Sequence, residues 1–188
     1  MDGKARLDGV TSFLDSRGIT LPVGRPGDRP SLRTASGLGN LKDQRFLEAV
    51  RREGVRPYPG SVALVRALRT RAIATVAVSA SRNAGAVLAA AGLSEVFDAR
   101  VDGLDAARLG LPGKPDPALF FEAARRGGVS PGRAAVVEDA QAGVEAARRG
   151  GFALVIGVDR AGQAAALYAK GADVVVPDLA EVSLGAPG

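Results

Sequence analysis

Four short runs rich in β-branched and other apolar residues, 73–78, 134–137, 153–158 and 173–176, recur along the last two thirds of the chain, separated by segments with helical periodicity. No other feature constrains the fold as tightly. Strands joined through intervening helices run parallel, and a parallel sheet covered on both faces needs strands that are apolar throughout, as these four nearly are. The helices are expected at 61–70, 84–91, 117–126, 140–149 and 163–170, and most stop at or near a glycine: Gly92, Gly127, Gly150, Gly171. Pro117 occupies a first helical turn behind Asp116, which is placed to cap it. The fold class read from this pattern is α/β, with a Rossmann-like parallel sheet as core.

The residues before Gly60 follow a different pattern. A polar, helix-like stretch covers 10–17, then Pro22, Gly24, Pro26, Gly27 and Pro30 mark an exposed loop over 21–30. A second helix is expected at 41–53, with Leu41, Phe46, Leu47 and Val50 near one face, and Tyr58-Pro59-Gly60 ends it. The organisation is therefore a small helical lobe at 1–57 and the α/β core at 58–188.

With neither Cys nor His, the 188 residues offer no thiolate nucleophile, no imidazole base and no ordinary zinc ligand set. Asp, Glu, Ser, Lys and Arg remain, the side chains suited to hard oxygen-bound cations and to phosphate. A net charge of +5 and a pI near 10.2 raise the question of nucleic acid. The Arg are scattered along helices and aromatics are few, with six Phe, two Tyr and no Trp, so no nucleic-acid partner is expected. No apolar run approaches the roughly 20 residues of a membrane span and the first residues lack a secretory apolar stretch, so a soluble, cytoplasmic protein without membrane association is expected.

In open α/β sheets ligands bind beyond the carboxyl ends of the strands. Ser79-Ala80-Ser81-Arg82-Asn83 follows the first run, Glu138-Asp139 follows the second, and Gly113-Lys114-Pro115-Asp116-Pro117 lies between them. Singly, Ser79 could end a strand, Asp139 could cap a helix and Lys114 could be a solvated loop charge. Together, a hydroxyl, an ammonium and paired carboxylates at one sheet edge suit a phosphate held beside Mg²⁺.

These runs resemble the second, third and fourth motifs of the haloacid dehalogenase superfamily, most closely those of its β-phosphoglucomutase branch. The resemblance implies that Ser79 hydrogen-bonds the transferring phosphoryl group, that Lys114 neutralises its charge, and that Asp139, helped by Glu138, holds Mg²⁺. Ala80, Ser81 and Asn83 would be further phosphate or sugar contacts. The lobe before Gly60 would be the family's helical cap, and Arg6, in Asp2-Gly3-Lys4-Ala5-Arg6-Leu7-Asp8, would grip a distal substrate phosphate. The substrate implied is a phosphosugar, a hexose phosphate, acted on by a mutase or a phosphatase through a phosphoaspartate; the mutase is slightly favoured.

The family's first motif, a strand ending in Asp-x-Asp, is absent: the sequence contains no Asp-x-Asp at all. Asp8-Gly9-Val10-Thr11 resembles only the tail of that motif, and Arg6 stands where its first Asp would be. By this alignment the chain starts inside the cap, both cap and core are truncated, and the strands ending in Ser79 and Glu138 flank a gap with two unpaired edges. Two explanations are open: Met1 is not the true start, or the chain is a catalytically dead relative that binds a phosphosugar or a partner. As given, the chain is expected to be inactive. A dinucleotide-binding reading fails because Gly37-Leu38-Gly39-Asn40 follows no strand and lacks a third glycine.

Overall fold

The computed structural model describes residues 6–185. Two helices come first, α1 (Arg6–Asp15) and α2 (Ala35–Glu53), followed by α3 (Pro59–Thr70). The alternation then runs β1 (Val76–Val78), α4 (Ala84–Ala90), β2 (Ala99–Val101), α5 (Gly103–Leu109), α6 (Ala118–Arg126), β3 (Ala135–Glu138), α7 (Gln141–Arg149), β4 (Leu154–Val158), α8 (Ala164–Ala169) and β5 (Val174–Val176). All strand pairs are parallel, as the sequence pattern requires. They form two separate sheets, β1–β2 and β3–β4–β5. Among the described residues β1 and β3 therefore each keep one edge without a strand partner, the two edges expected from the sequence.

One face of the larger sheet packs under α6, α7 and α8, where Val136 and Val155 meet Phe120, Val144, Ala147 and Leu167. Its other face meets α3, whose Leu64 covers Ile156, Val158 and Val176. The expectation of strands buried on both faces fails at β3. Val137 lies in register with Ile156, yet Val137 is 42 % exposed and Ile156 8 %. The reason is that α3 covers β4 and β5 and leaves the face of β3 beside the sheet gap open.

Two elements are not legible in the sequence. The strand β2 alternates apolar and charged residues over only three positions, and α5 owes its start to a capping box in which Asp102 accepts from the amides of Leu104 and Asp105. The first strand is also shorter than expected, because Thr75 gives both its amide and its hydroxyl to the Asp98 carboxylate at 2.7 and 3.0 Å and Ile73 is exposed.

Of the expected apolar face of α2, Val50 is buried and Leu41 and Leu47 are half-buried, but Phe46 is exposed, and the helix also buries Ala35, Ser36, Gly37 and Gly39 nearer its start. Small residues let α1 approach closely, with Val10, Leu14 and Leu38 packed at the contact. The Gly37-Leu38-Gly39-Asn40 run serves the loop before it. Asn40 donates to the carbonyls of Pro26 and Asp28, Thr34 caps Gly37, and a Cβ on Gly37 would stand 2.5 Å from the Leu32 carbonyl oxygen. Among the described residues no helix is long and apolar enough to cross a membrane.

Candidate active site

The carboxyl ends of β1 and β3 face each other across the gap between the sheets, and a cavity of about 380 Å³ opens there. Ser79, Ala80, Lys114, Glu138 and Asp139 all line it, so five of the residues singled out in the sequence come together. Its walls are Val78, Val137 and Val158.

Each polar group is placed by its local chain. Ser79 directly follows β1, and its amide donates to the Val101 carbonyl on β2 at 3.0 Å. The hydroxyl oxygens of Ser79 and Ser81 accept from the amides of Ser81 and Asn83, both at 3.1 Å, curling the chain into two consecutive hydroxyl-closed turns. Gly103 braces this loop by donating to the Ser81 carbonyl at 3.1 Å. A side chain on Gly103 would meet the Ala80 carbonyl oxygen at 2.6 Å, so the loop passes there only over glycine.

Lys114 reaches in from the segment before α6, which Asp116 caps by accepting from the Ala118 amide at 2.9 Å. Its ammonium donates to Glu138 Oε2 at 2.8 Å and lies 4.8 Å from the centre of the Phe120 ring. Glu138 Oε1 accepts from the Ala140 amide at 3.3 Å, so this carboxylate is occupied on both oxygens. Beside it Asp139 is exposed, and its carboxylate has no ion-pair partner among the described residues. The two acids expected at the metal thus have different surroundings: Glu138 is the counter-ion of Lys114, and Asp139 keeps its carboxylate clear of ion pairs among the described residues. No group of three or more potential metal ligands occurs among the described residues.

Three other expected contacts lie elsewhere. Asn83 lines a different cavity, between α2 and α4. Ser81 is exposed and lines neither of the two cavities. Arg6 is paired with Asp43 of α2 at 2.6 Å rather than aimed at the site, because the two side chains meet where α1 packs on α2. Asp2 to Ala5 of the same motif lie outside the described residues.

The sequence reading missed Tyr58, Ser61 and Arg160, which also line the cavity. Arg160 lies 3.7 Å above the Tyr58 ring centre and pairs with Asp178 at 3.0 Å. A signal existed: Arg160 follows the end of β4, and applying to that strand the rule used for the other two would have selected it.

A family model described as haloacid dehalogenase-like hydrolase matches residues 10–151. A protein of Mycobacterium bovis named beta-phosphoglucomutase is 44 % identical over 185 residues, covering 97 % of this chain and 71 % of that protein. A Mycobacterium leprae protein named trehalose-phosphate phosphatase is 40 % identical over 130 residues, covering 67 % of this chain and 28 % of its own length. Among solved structures, beta-phosphoglucomutase from Clostridium difficile superposes with a TM-score of 0.78 at 21 % identity, covering 96 % of this chain and 74 % of that one. That last likeness concerns the fold alone.

Proposed function

The chain belongs to the haloacid dehalogenase-like hydrolase family, in its β-phosphoglucomutase-like branch, and from that premise we propose that it serves a Mg²⁺-dependent phosphotransferase of phosphosugars, a mutase or a phosphatase. The observation that carries this reading is the meeting of Ser79, Lys114, Glu138 and Asp139 around one cavity at the strand ends. Phosphoryl transfer asks a protein mainly to position the group and offset its charge. The Ser79 hydroxyl, whose oxygen already accepts from Ser81, keeps its proton free to donate to a phosphoryl oxygen. Lys114 supplies a point charge held in place by Glu138.

Mg²⁺ suits this donor set, since it is commonly held by one or two carboxylates together with water and phosphate oxygens. Asp139 would be its protein ligand, with Glu138 second, and the ion would neutralise charge on the phosphoryl oxygens. Arg6 has no part in the reading while Asp43 holds it. Residues 1–57 act as the cap that selects the substrate and 58–188 as the core, with the protein working in the cytoplasm on a hexose phosphate.

The attacking carboxylate is not among Asp-x-Asp pairs of this sequence, which has none. In this reading it stands at the end of an extended segment seated between the facing edges of β1 and β3, against Val78, Val137 and Val158. Its oxygen attacks phosphorus as the bond from phosphorus to the sugar oxygen breaks, and water or a sugar hydroxyl then takes the phosphoryl group. The 188 residues alone are then inactive. The same absence of Asp-x-Asp favours a second reading, a catalytically dead module that binds a phosphosugar.

The test compares phosphate release from, and isomerisation of, a hexose phosphate with Mg²⁺, with and without hexose bisphosphate. It uses this chain and a version extended by the coding sequence immediately upstream. Activity confined to the extended form supports the enzyme, and stimulation by bisphosphate selects the mutase. Inactivity of both, with hexose phosphate still bound, supports the binding module.

A further inference from the structure

A second cavity, about 370 Å³, lies at the seam between α2 and α4, away from Lys114, Glu138 and Asp139. Three arginines line it: Arg51 from α2, Arg82 from the loop before α4, and Arg100 from β2. The one carboxylate there, Asp102, is only 2 % exposed and already committed. Its Oδ1 accepts from the amides of Leu104 and Asp105 at 2.8 and 3.3 Å, and its Oδ2 pairs with Arg100 Nε at 2.9 Å. The side chains of Arg51 and Arg82 make no ion pair or hydrogen bond with any described residue. The seam therefore holds more cations than the protein neutralises, which favours an anion.

Arg100 is held in position from two sides. Asp102 grips Nε, and the guanidinium rests on α4 at Gly85, where a Cβ would stand 2.7 Å from Nη1. A planar guanidinium held in this way suits bidentate recognition of phosphate oxygens. The remaining lining is apolar, with Leu47 and Val50 on α2, Ala86 and Ala90 on α4, and Leu104 on α5.

We propose that this seam is a binding site for an organic phosphomonoester, its phosphoryl group on Arg51, Arg82 and Arg100 and its apolar body against Leu47, Val50 and Leu104. Such a ligand touches α2 and the α/β core at once, and so fixes the α1–α2 pair against the core. The site stands whether or not the cavity at Ser79 and Lys114 catalyses phosphoryl transfer.

The test titrates the full chain, ¹⁵N-labelled and in EDTA at fixed ionic strength, with phenylphosphonate and with inorganic phosphate. The amides of Arg51, Arg82, Gly85 and Arg100 should shift saturably. Phenylphosphonate should bind roughly tenfold tighter than phosphate, the gain from covering about 60 Å² of ring. Arg51→Glu, on an exposed side chain with no partner to lose, should weaken binding at least tenfold. Absence of saturable shifts, or survival of binding in Arg51→Glu, would each overturn the proposal.

Discussion

Lys114 and Glu138, 24 residues apart, form an ion pair at 2.8 Å with side chains only 4 % and 11 % exposed. The pair joins the segment before α6 to the end of β3, and Phe120 flanks the ammonium. Removing one member of so buried a pair strands the other charge, whereas replacing both need cost little. Lys114→Met should lower unfolding free energy by about 3–5 kcal/mol, and Lys114→Met with Glu138→Gln should recover most of it. Urea unfolding of the four species in the cycle measures this, while phosphate affinity should be lost in both Lys114 variants. Recovered affinity in the double variant would deny Lys114 a direct role.

Gly143, on the first turn of α7, lies where any Cβ would collide with the Glu138 side chain. Gly143→Ala should cost about 1–3 kcal/mol by overpacking and displace the Glu138 carboxylate from Lys114. In a Glu138→Ala background the same substitution should cost less than about 1 kcal/mol, because its collision partner is gone. Equal penalties in the two backgrounds would place the strain elsewhere in α7.

Arg126 ties α5 to α6 by pairing with Asp105 at 2.7 Å and Glu122 at 2.8 Å. Its guanidinium holds the Asp105 carboxyl well below the usual carboxylate range, and Arg125 with Arg126 lowers Glu122 to about 2. Both acids bind protons more weakly folded than unfolded. Their contribution is therefore full above about pH 4.5 and is lost as pH falls towards 2. Arg126→Met should lower Tm by roughly 5–10 °C at pH 7, corresponding to about 2–3 kcal/mol, and by much less at pH 2.5. A Tm difference that does not shrink in acid would contradict this assignment.

The sequence exposed most of the α/β core because its signals are local. Apolar runs, glycine stops and Asp116 before α6 each act within a few residues. What it hid depends on distant partners. The strand β2 exists because Val76 to Val78 pair with it, and Arg100 sits on its middle position with no apolar signature. Phe46 reads as core by spacing, yet α1 takes the small-residue face of α2 instead.

The candidate site shows the same division. Residues that follow strands were legible, and Ser79, Lys114, Glu138 and Asp139 do share one cavity. The pairing of Glu138 with Lys114, and of Arg6 with Asp43, is a choice among charges made in three dimensions, invisible to motif spacing. Asp139 is thereby left as the acid without an ion pair among the described residues.

In the proposed function Asp139 would bring Mg²⁺ to a phosphoryl group held by Ser79 and Lys114. Calorimetric titration of inorganic phosphate, with and without Mg²⁺, into the wild-type chain and Asp139→Asn tests it most directly. Mg²⁺ should tighten phosphate binding at least tenfold in the wild type and not in Asp139→Asn, a difference of about 1.4 kcal/mol or more. Phosphate binding indifferent to Mg²⁺, or a Mg²⁺ effect that survives Asp139→Asn, would contradict it.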